Sequence, residues 1–297
     1  MDLERLRQDR NTGVTSSFSF AGCDVSSGNQ HSGNHRDAWQ HHDPRHRKTK
    51  GAVKLHLLLD HEGYLPVFAH ITEGNVHEVN MANDLSLPAG SIVAMDRGYN
   101  DYGLFAKWTE QGVFFVTRLK DNALYHVVEE HAVQERGPVL EDQTIELDGA
   151  AAQKKCPHRL RRVKVWDAEN KRTIALLPNN MKLASVTIAA ICKDRWQIEI
   201  FFKTIKQNLK VKTFVGTSAN ALKIQIWTAL IAILLLKYLQ FRSRIAWSLS
   251  NLVALLRYNL FTYRVLWAWL DDPFETPPRG ATGVVGAQIW TASDETL

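Results

Sequence analysis

Two short stretches of this 297-residue sequence carry residue types whose spacing could do chemistry. The first is Lys193-Asp-Arg-Trp-Gln-Ile-Glu-Ile-Phe-Phe-Lys-Thr-Ile-Lys206. Wound as a helix at ~100° per residue with Arg195 at zero, Lys206 falls near ~20°, Glu199 near ~40° and Cys192 near ~60°. Ile191, Ile198, Phe202, Ile205 and Leu209 cluster on the adjoining arc, about −20° to −80°, which is the arc a core would cover. The Arg-Glu-Lys stripe therefore runs along the edge of a buried face. A carboxylate there is partly desolvated and rigidly held, which suits a divalent-metal ligand, with cations beside it to hold phosphates. An ordinary surface ladder of i,i+4 ion pairs has the same spacing.

The second stretch is Met95-Asp96-Arg97-Gly98-Tyr99. Ser91 to Met95 reads as a short buried strand, so Asp96 stands at its C-terminal end. In open α/β sheets that end faces the crevice where ligands bind. A turn or cap aspartate is the alternative. His56 alternates with apolar residues along a strand; it either reaches a site or is a hydrogen-bonded sheet histidine. His31, His35, His41, His42 and His46 are a weaker signal. The i,i+4 pair His31 and His35 has zinc spacing, but Gly33 and Asn34 oppose a helix there and favour a solvated loop.

Charge points to the kind of partner. The formal net charge is +5, but from Lys193 to Arg264 twelve basic residues face only Asp194 and Glu199. So one-sided a segment suits a polyanion, nucleic acid first, with solvated helix faces as the alternative. Cys23, Cys156 and Cys192 follow no ligand spacing and argue for a reducing compartment. The polar, charged first residues are not those of a signal peptide. The apolar run Ile224 to Leu236 is too short to cross a bilayer and reads as a buried helix.

The elements that must position these residues are legible along most of the chain. Residues 1–47 are polar and read as loop or remodelled sequence. Val53–Leu59 and Leu65–Ile71 flank the turn His61-Glu62-Gly63 and read as a hairpin. Glu78–Leu85 reads as helix, Ser91–Met95 as strand, Tyr102–Gln111 as helix and Val113–Arg118 as strand. This alternation implies an α/β core with parallel pairing. Residues 121–181 change to strands and turns with no clear helix, as a β-rich insertion. From Leu183 to about Arg244 the pattern is helical. Another helix covers Leu249–Leu260 and extends toward Trp269. The organisation expected is thus residues 1–47 unmatched, a core over 48–275 and a disordered tail over 276–297.

Together the blocks resemble the DDE transposases of bacterial insertion sequences, in the insertion-sequence-four-like group with a Tyr-Arg-Glu-Lys signature. Arg195, Glu199 and Lys206 match that signature's spacing, with Cys192 standing at its tyrosine. Asp96-Arg-Gly-Tyr99 matches the family's second aspartate motif. Arg47–His56, Phe114–Arg118 and Lys212–Ser218 are also similar. The resemblance covers roughly residues 47–275.

That resemblance implies a ribonuclease H-like α/β core with a β-rich insertion and a helical C-terminal region. It implies Mg²⁺, with Mn²⁺ as a substitute, held by Asp96 and Glu199. Such ions serve in-line displacement at phosphorus, one activating the nucleophile and the other stabilising the leaving oxygen. Arg195, Lys203, Lys206 and Lys210 would contact double-stranded DNA, at element ends and target. A homo-oligomer assembled on DNA, a cytoplasmic and nucleoid-associated location, and no membrane partner are implied as well. Trp166 corresponds to an insertion tryptophan that holds a hairpin end in related enzymes, with structural packing as its other role. The family's first aspartate lies in an Asp-Ser-Thr-type motif on the first strand, and no such motif occurs here. Asp24, in Cys-Asp-Val-Ser-Ser, is nearest; Asp37 and Asp43 lie in polar loop sequence. Nor does the sequence ahead of the core leave room for the family's helical DNA-binding domain. The resemblance thus admits a working transposase, a non-catalytic DNA-binding remnant, or a nuclease that nicks without joining.

Overall fold

The computed structural model describes residues 16–25, 53–73, 78–134, 137–208 and 218–274. They form two compact units, residues 1–227 and 228–297.

The first unit is built on one nine-stranded mixed sheet in the order β3-β2-β1-β4-β5-β9-β8-β7-β6. The strands are β1 (Ser16–Val25), β2 (Val53–Asp60), β3 (Pro66–Glu73), β4 (Ser91–Met95), β5 (Phe114–Arg118), β6 (Tyr125–Glu130), β7 (Val139–Leu147), β8 (Leu160–Asp167) and β9 (Arg172–Pro178). β1 is antiparallel to β2 and parallel to β4, and β4 is parallel to β5. The hairpin expected over 53–71 is β2–β3. Its first strand, VKLHLLLD, is buried nearly throughout because β1 and β3 flank it and both of its faces are covered.

Helices cover both faces. α1 (Glu78–Asn83), α2 (Tyr102–Glu110) and α3 (Ala150–Lys155) accompany a core that includes Leu58, Val93, Met95, Tyr99, Phe105 and Phe115. α4 (Ser185–Asp194) packs on the opposite face, against Ile92, Ala94, Val116 and Leu176. The alternation Ile92/Ala94 against Val93/Met95 follows from the two-residue period of a strand. It continues into Asp96, which is in phase with Ile92 and Ala94 and so belongs to the α4 side.

Several expectations are corrected. Residues 16–25 are strand rather than loop: Phe18, Phe20 and Val25 supply enough β-forming character once β2 and β4 offer pairing edges on both sides. The segment 121–181 contains a helix, α3, and it is continuous with the main sheet through β5–β9 pairing. The helical run from Leu183 is interrupted at Arg195, where α4 ends and α5 (Trp196–Asn208) begins. The bond from Ile198 N–H to Arg195 C=O, 3.2 Å, closes a three-residue step there.

α6 (Ala219–Arg242) runs on from the first unit into the second and is longer than the apolar run alone suggested. It is long and apolar enough to cross a membrane by length and composition. It is buried on one side only rather than throughout: Ile226, Leu230 and Ile233 are buried, while Ile231, Leu234 and Leu235 are exposed. In the second unit, α7 (Leu249–Tyr258) and α8 (Leu266–Asp271) are separate helices rather than one, and Trp247, Leu252, Trp269 and Leu270 form their core. The tail over 276–297, the histidines 31 to 46, Asp37, Asp43 and Lys210 lie outside the described residues.

Candidate active site

Asp96 follows directly on the last residue of β4 and is exposed, while Met95 before it is fully buried. It opens a 3₁₀ turn, Arg97–Tyr99, yet its carboxylate makes no capping bond to that turn. The cap alternative raised by the sequence therefore fails, and the carboxylate remains available.

Three neighbours fix the segment after it. The Tyr99 N–H donates to the Asp96 carbonyl at 3.0 Å, and the buried Tyr99 hydroxyl lies 2.8 Å from His56 Nδ1. His56 Nε2 lies 3.0 Å from Thr72 Oγ1, so both ring nitrogens are engaged. Burial, then the charges of Lys54 and His70, holds the His56 ring down to about 4, so it is neutral at pH 7. His56 is thus a hydrogen-bonded sheet histidine that anchors the turn. On the other side, Asn100 Nδ2 donates to the Arg118 carbonyl at 2.8 Å and its Oδ1 accepts from Thr117 Oγ1 at 2.7 Å. Asp101 then caps α2 through the Leu104 N–H. Among the described residues the Asp96 carboxylate accepts no hydrogen bond, while the backbone after it is held through Tyr99 and Asn100.

Glu199 sits in the first turn of α5, where the helix dipole favours a negative charge. Ile198, Phe201, Phe202 and Ile205 bury the inner face of α5, at i, i+3, i+4 and i+7, and leave Glu199 on its margin. Phe201 joins the apolar arc read from the sequence. Arg195, only 6% exposed, donates from Nη2 to Glu199 Oε1 at 2.7 Å. Burial alone would lower its pKa, but the carboxylates of Glu199 and Asp96 outweigh it and raise the guanidinium above its ordinary value. Arg195 therefore feels both carboxylates: the strand end and the helix converge on it. Asp96 and Glu199 thus both act on Arg195, and Glu199 alone is hydrogen-bonded to it.

The surroundings add cations. Cys192 has its thiol pushed up by burial, against the opposing pull of Arg118 and Arg195 beside it. Lys203 is exposed on α5 and Lys206 half-buried one turn on. Trp166 on β8 is 44% exposed, so it is not a packing residue of the core. Sequence reasoning did not find the Asn100 and Tyr99 anchors; the run Tyr99-Asn100-Asp101 after Asp96 was their only signal.

The third carboxylate implied by the resemblance is not supplied where β1 would supply it. β1 pairs with β4 up to Phe20 beside Met95. One step on, Ala21 comes level with Asp96, and Ala21 is buried with only a methyl group to offer. Position 24 is in register with Lys54, three residues further along β1. Among the described residues no three His, Cys, Asp or Glu side chains gather as a metal-binding group. The residues present fit a divalent ion only in part.

Comparison with known proteins agrees with the geometry. The sequence profile of the transposase DDE domain matches residues 21–235. A Sinorhizobium fredii protein named as a transposase, y4zB, is 34% identical over 78% of this chain and 65% of its own length. A Geobacillus stearothermophilus protein named as a transposase for insertion sequence element IS5377 is 30% identical over 66% of this chain and 51% of its own. A Synechocystis protein named for element IS4SA is 26% identical over 58% and 48%. The chain thus spans between 48% and 65% of the length of these relatives. With a match over most of the sequence, and with Asp96 and Glu199 inside it, this chain belongs to the DDE transposase domain family.

Proposed function

We propose that this chain is the catalytic core of an insertion-sequence DNA transposase of the Tyr-Arg-Glu-Lys group, with its metal site short of one carboxylate. The observation that carries the reading is the convergence of Asp96 and Glu199 on the buried Arg195 at the C-terminal end of β4. The order β3-β2-β1-β4-β5, with β1, β4 and β5 parallel, supports a ribonuclease H-like core, and β6–β9 with α3 a β-rich insertion. Asp96 and Glu199 are the ligands for Mg²⁺, with Mn²⁺ as a substitute; the hard oxygen donors suit either ion. Arg195, Lys203, Lys206 and Lys210 contact phosphates of double-stranded DNA. Copies assemble on DNA, in the cytoplasm at the nucleoid, and the exposed Ile231, Leu234 and Leu235 of α6 supply apolar surface for assembly.

Ala21, level with Asp96 across β1 and β4, brings no oxygen to a divalent ion. Loss of one electrostatic partner of a developing charge typically costs on the order of 10²–10³ in rate. The second reading, a DNA-binding transposase remnant, draws on the same alanine. A plasmid excision assay with the element's own ends decides between them. Weak excision by the native chain, raised by Ala21→Asp and abolished by Asp96→Asn, is the outcome expected. No excision even with Ala21→Asp favours the remnant. Robust strand transfer by the native chain that is lost in Asp24→Ala would make Asp24 the third ligand and overturn the assignment of position 21.

A further inference from the structure

The turn between β2 and β3 reaches the junction between α4 and α5. Asp194 is the last residue of α4 and the direct neighbour of Arg195. Its carboxylate is held from that turn by Tyr64, which donates its hydroxyl to Oδ1 at 3.0 Å; Nδ1 of the buried His61 lies 2.6 Å from Oδ2 but makes no hydrogen bond to it. The turn is itself closed by Asp60 N–H to the Leu65 carbonyl at 2.9 Å and by Glu62 N–H to Asp60 Oδ1 at 3.1 Å.

Tyr64 adopts φ +50°, a left-handed conformation that a bulky residue rarely holds unless its surroundings require it. Here that conformation accompanies a hydroxyl delivered to a residue 130 positions away in sequence. Burial, then the Asp194 charge and hydrogen bond, pushes the phenol up to about 12, so it keeps its proton and keeps donating. Asp194 is also the sole carboxylate besides Glu199 among the basic residues from 193 to 264, and nothing in the candidate site uses it directly.

We propose that Tyr64 latches the α4–α5 junction through Asp194, making Tyr64 and Asp194 positioning residues for Arg195 and Glu199. The junction needs such a hold. At Arg195 the helix is interrupted, so α4 alone does not fix the direction in which α5 leaves. Glu199 lies one turn beyond the interruption, and any swing of α5 about Arg195 moves its carboxylate relative to Asp96. Asp96 is anchored separately, through Tyr99 and Asn100. The latch is thus the contact from the β2–β3 turn that holds the helical half of the site in place. The inference rests on the proposed ligand roles of Asp96 and Glu199, but its geometry can be read independently of them.

The test uses the full chain and removes one hydroxyl. In Tyr64→Phe, amide hydrogen exchange over residues 195–199 should accelerate about tenfold, while residues 92–101 and the β7–β8 pairing stay as in the native chain. Mn²⁺ affinity, read by paramagnetic broadening, should fall several-fold. Asp194→Asn, which still accepts from Tyr64, should sit closer to native than Asp194→Ala in both readouts. Tyr102→Phe, a partly buried tyrosine of α2, serves as the control and should leave both unchanged. Unchanged exchange at 195–199 in Tyr64→Phe, or an equal rise across the whole chain, overturns the latch. If exchange responds locally while the native chain shows no Mn²⁺ binding at all, the latch stands and the metal reading of the site fails.

Discussion

Two arginines in this protein are buried to the same degree and paired to carboxylates, and they do different work. Arg161, on β8, makes two bonds to Asp142 of β7, Nε to Oδ1 at 2.7 Å and Nη2 to Oδ2 at 2.5 Å. Its remaining nitrogen reaches the carbonyls of Asn180 and Leu183 at the approach to α4. Both side chains are under a tenth exposed, and every atom of the fork is spent inside the protein. Arg195 is equally buried, but among the described residues its side-chain hydrogen bond is to Oε1 of Glu199, whose side chain is 33% exposed, and it lies in the field of the exposed Asp96. The closed pair ties the β-rich segment to the helix that follows it. The open pair leaves carboxylate oxygens facing solvent beside a fixed positive charge. Burial of an ion pair therefore says little about function; which partner oxygens remain unspent says more.

The largest effect expected breaks the closed pair. Removing one member of a buried pair leaves the other charged and unpaired, which typically costs ~3–5 kcal/mol. Asp142→Ala should therefore lower unfolding free energy by about that amount in urea titration. Glu199→Ala also strands a buried guanidinium, but Asp96 still acts on Arg195, so its loss should be smaller than that of Asp142→Ala. Equal losses for the two would erase the distinction between an architectural pair and an open one.

The next effect concerns the anchor of Asp96. His56 is neutral in the fold, with its pKa lowered from 6.5 to about 4. The unfolded chain binds a proton there that the folded chain refuses. The stability His56 contributes is thus complete above about pH 6.5 and falls as pH drops from there through about 4. Over that window the shift corresponds to a loss on the order of 3 kcal/mol. His56→Gln, which can bond both Tyr99 and Thr72 without titrating, should flatten that part of the stability–pH curve in denaturant titrations. An unchanged slope would mean that other groups carry the acid sensitivity.

A smaller effect probes the open pair directly. If Asp96 and Glu199 share a divalent ion, Asp96→Asn should weaken Mn²⁺ binding about tenfold, close to 1.4 kcal/mol, in paramagnetic broadening or calorimetry. Asp142→Asn, with its carboxylate already closed on Arg161, should not change it. Identical Mn²⁺ curves for the native chain and Asp96→Asn would remove Asp96 from the ligand set.

Local signals made the core strands and the helical face of α5 legible. The run VKLHLLLD, the turn at His61–Gly63 and the apolar spacing of Ile198, Phe202 and Ile205 each state their own structure. The element Ser16–Val25 was obscured because its sequence, SSFSFAGCDV, is a weak strand former; tertiary pairing with β2 and β4 overrides that weakness. The interruption at Arg195 left no mark either, since no glycine or proline signals it and the helical period runs through Lys193–Lys206 unbroken. Arg195 and Glu199 could be singled out because their i,i+4 spacing is local, and Asp96 because it ends a short apolar strand. Their anchors could not, because His56–Tyr99 and Tyr64–Asp194 join residues 43 and 130 positions apart. The vacancy at position 21 needed the β1–β4 register, which no reading of composition supplies.

The smallest effect expected tests whether the cations beyond the open pair face DNA. Lys203 is exposed on α5, and Lys206 lies one turn further from Glu199. Phosphate contacts release condensed counterions, so the logarithm of affinity falls with the logarithm of salt by ~0.9 for each phosphate neutralised. Replacing Lys203 and Lys206 together by alanine should reduce the salt slope of non-specific duplex binding by roughly two units. Lys193 makes the internal control. It is equally basic and adjacent to the site, but its ammonium is 2.7 Å from Glu169, and that pairing raises its pKa through the hydrogen bond and then the charge. Its substitution by alanine should change the slope by less than that of the exposed Lys203 does. A slope moved as much by Lys193 as by Lys203 and Lys206 would mean that the bound duplex reads the overall basicity of the segment rather than a phosphate track beside Glu199. A slope unmoved by all three would place the bound duplex elsewhere on the chain and leave α5 with its carboxylate but without its cations.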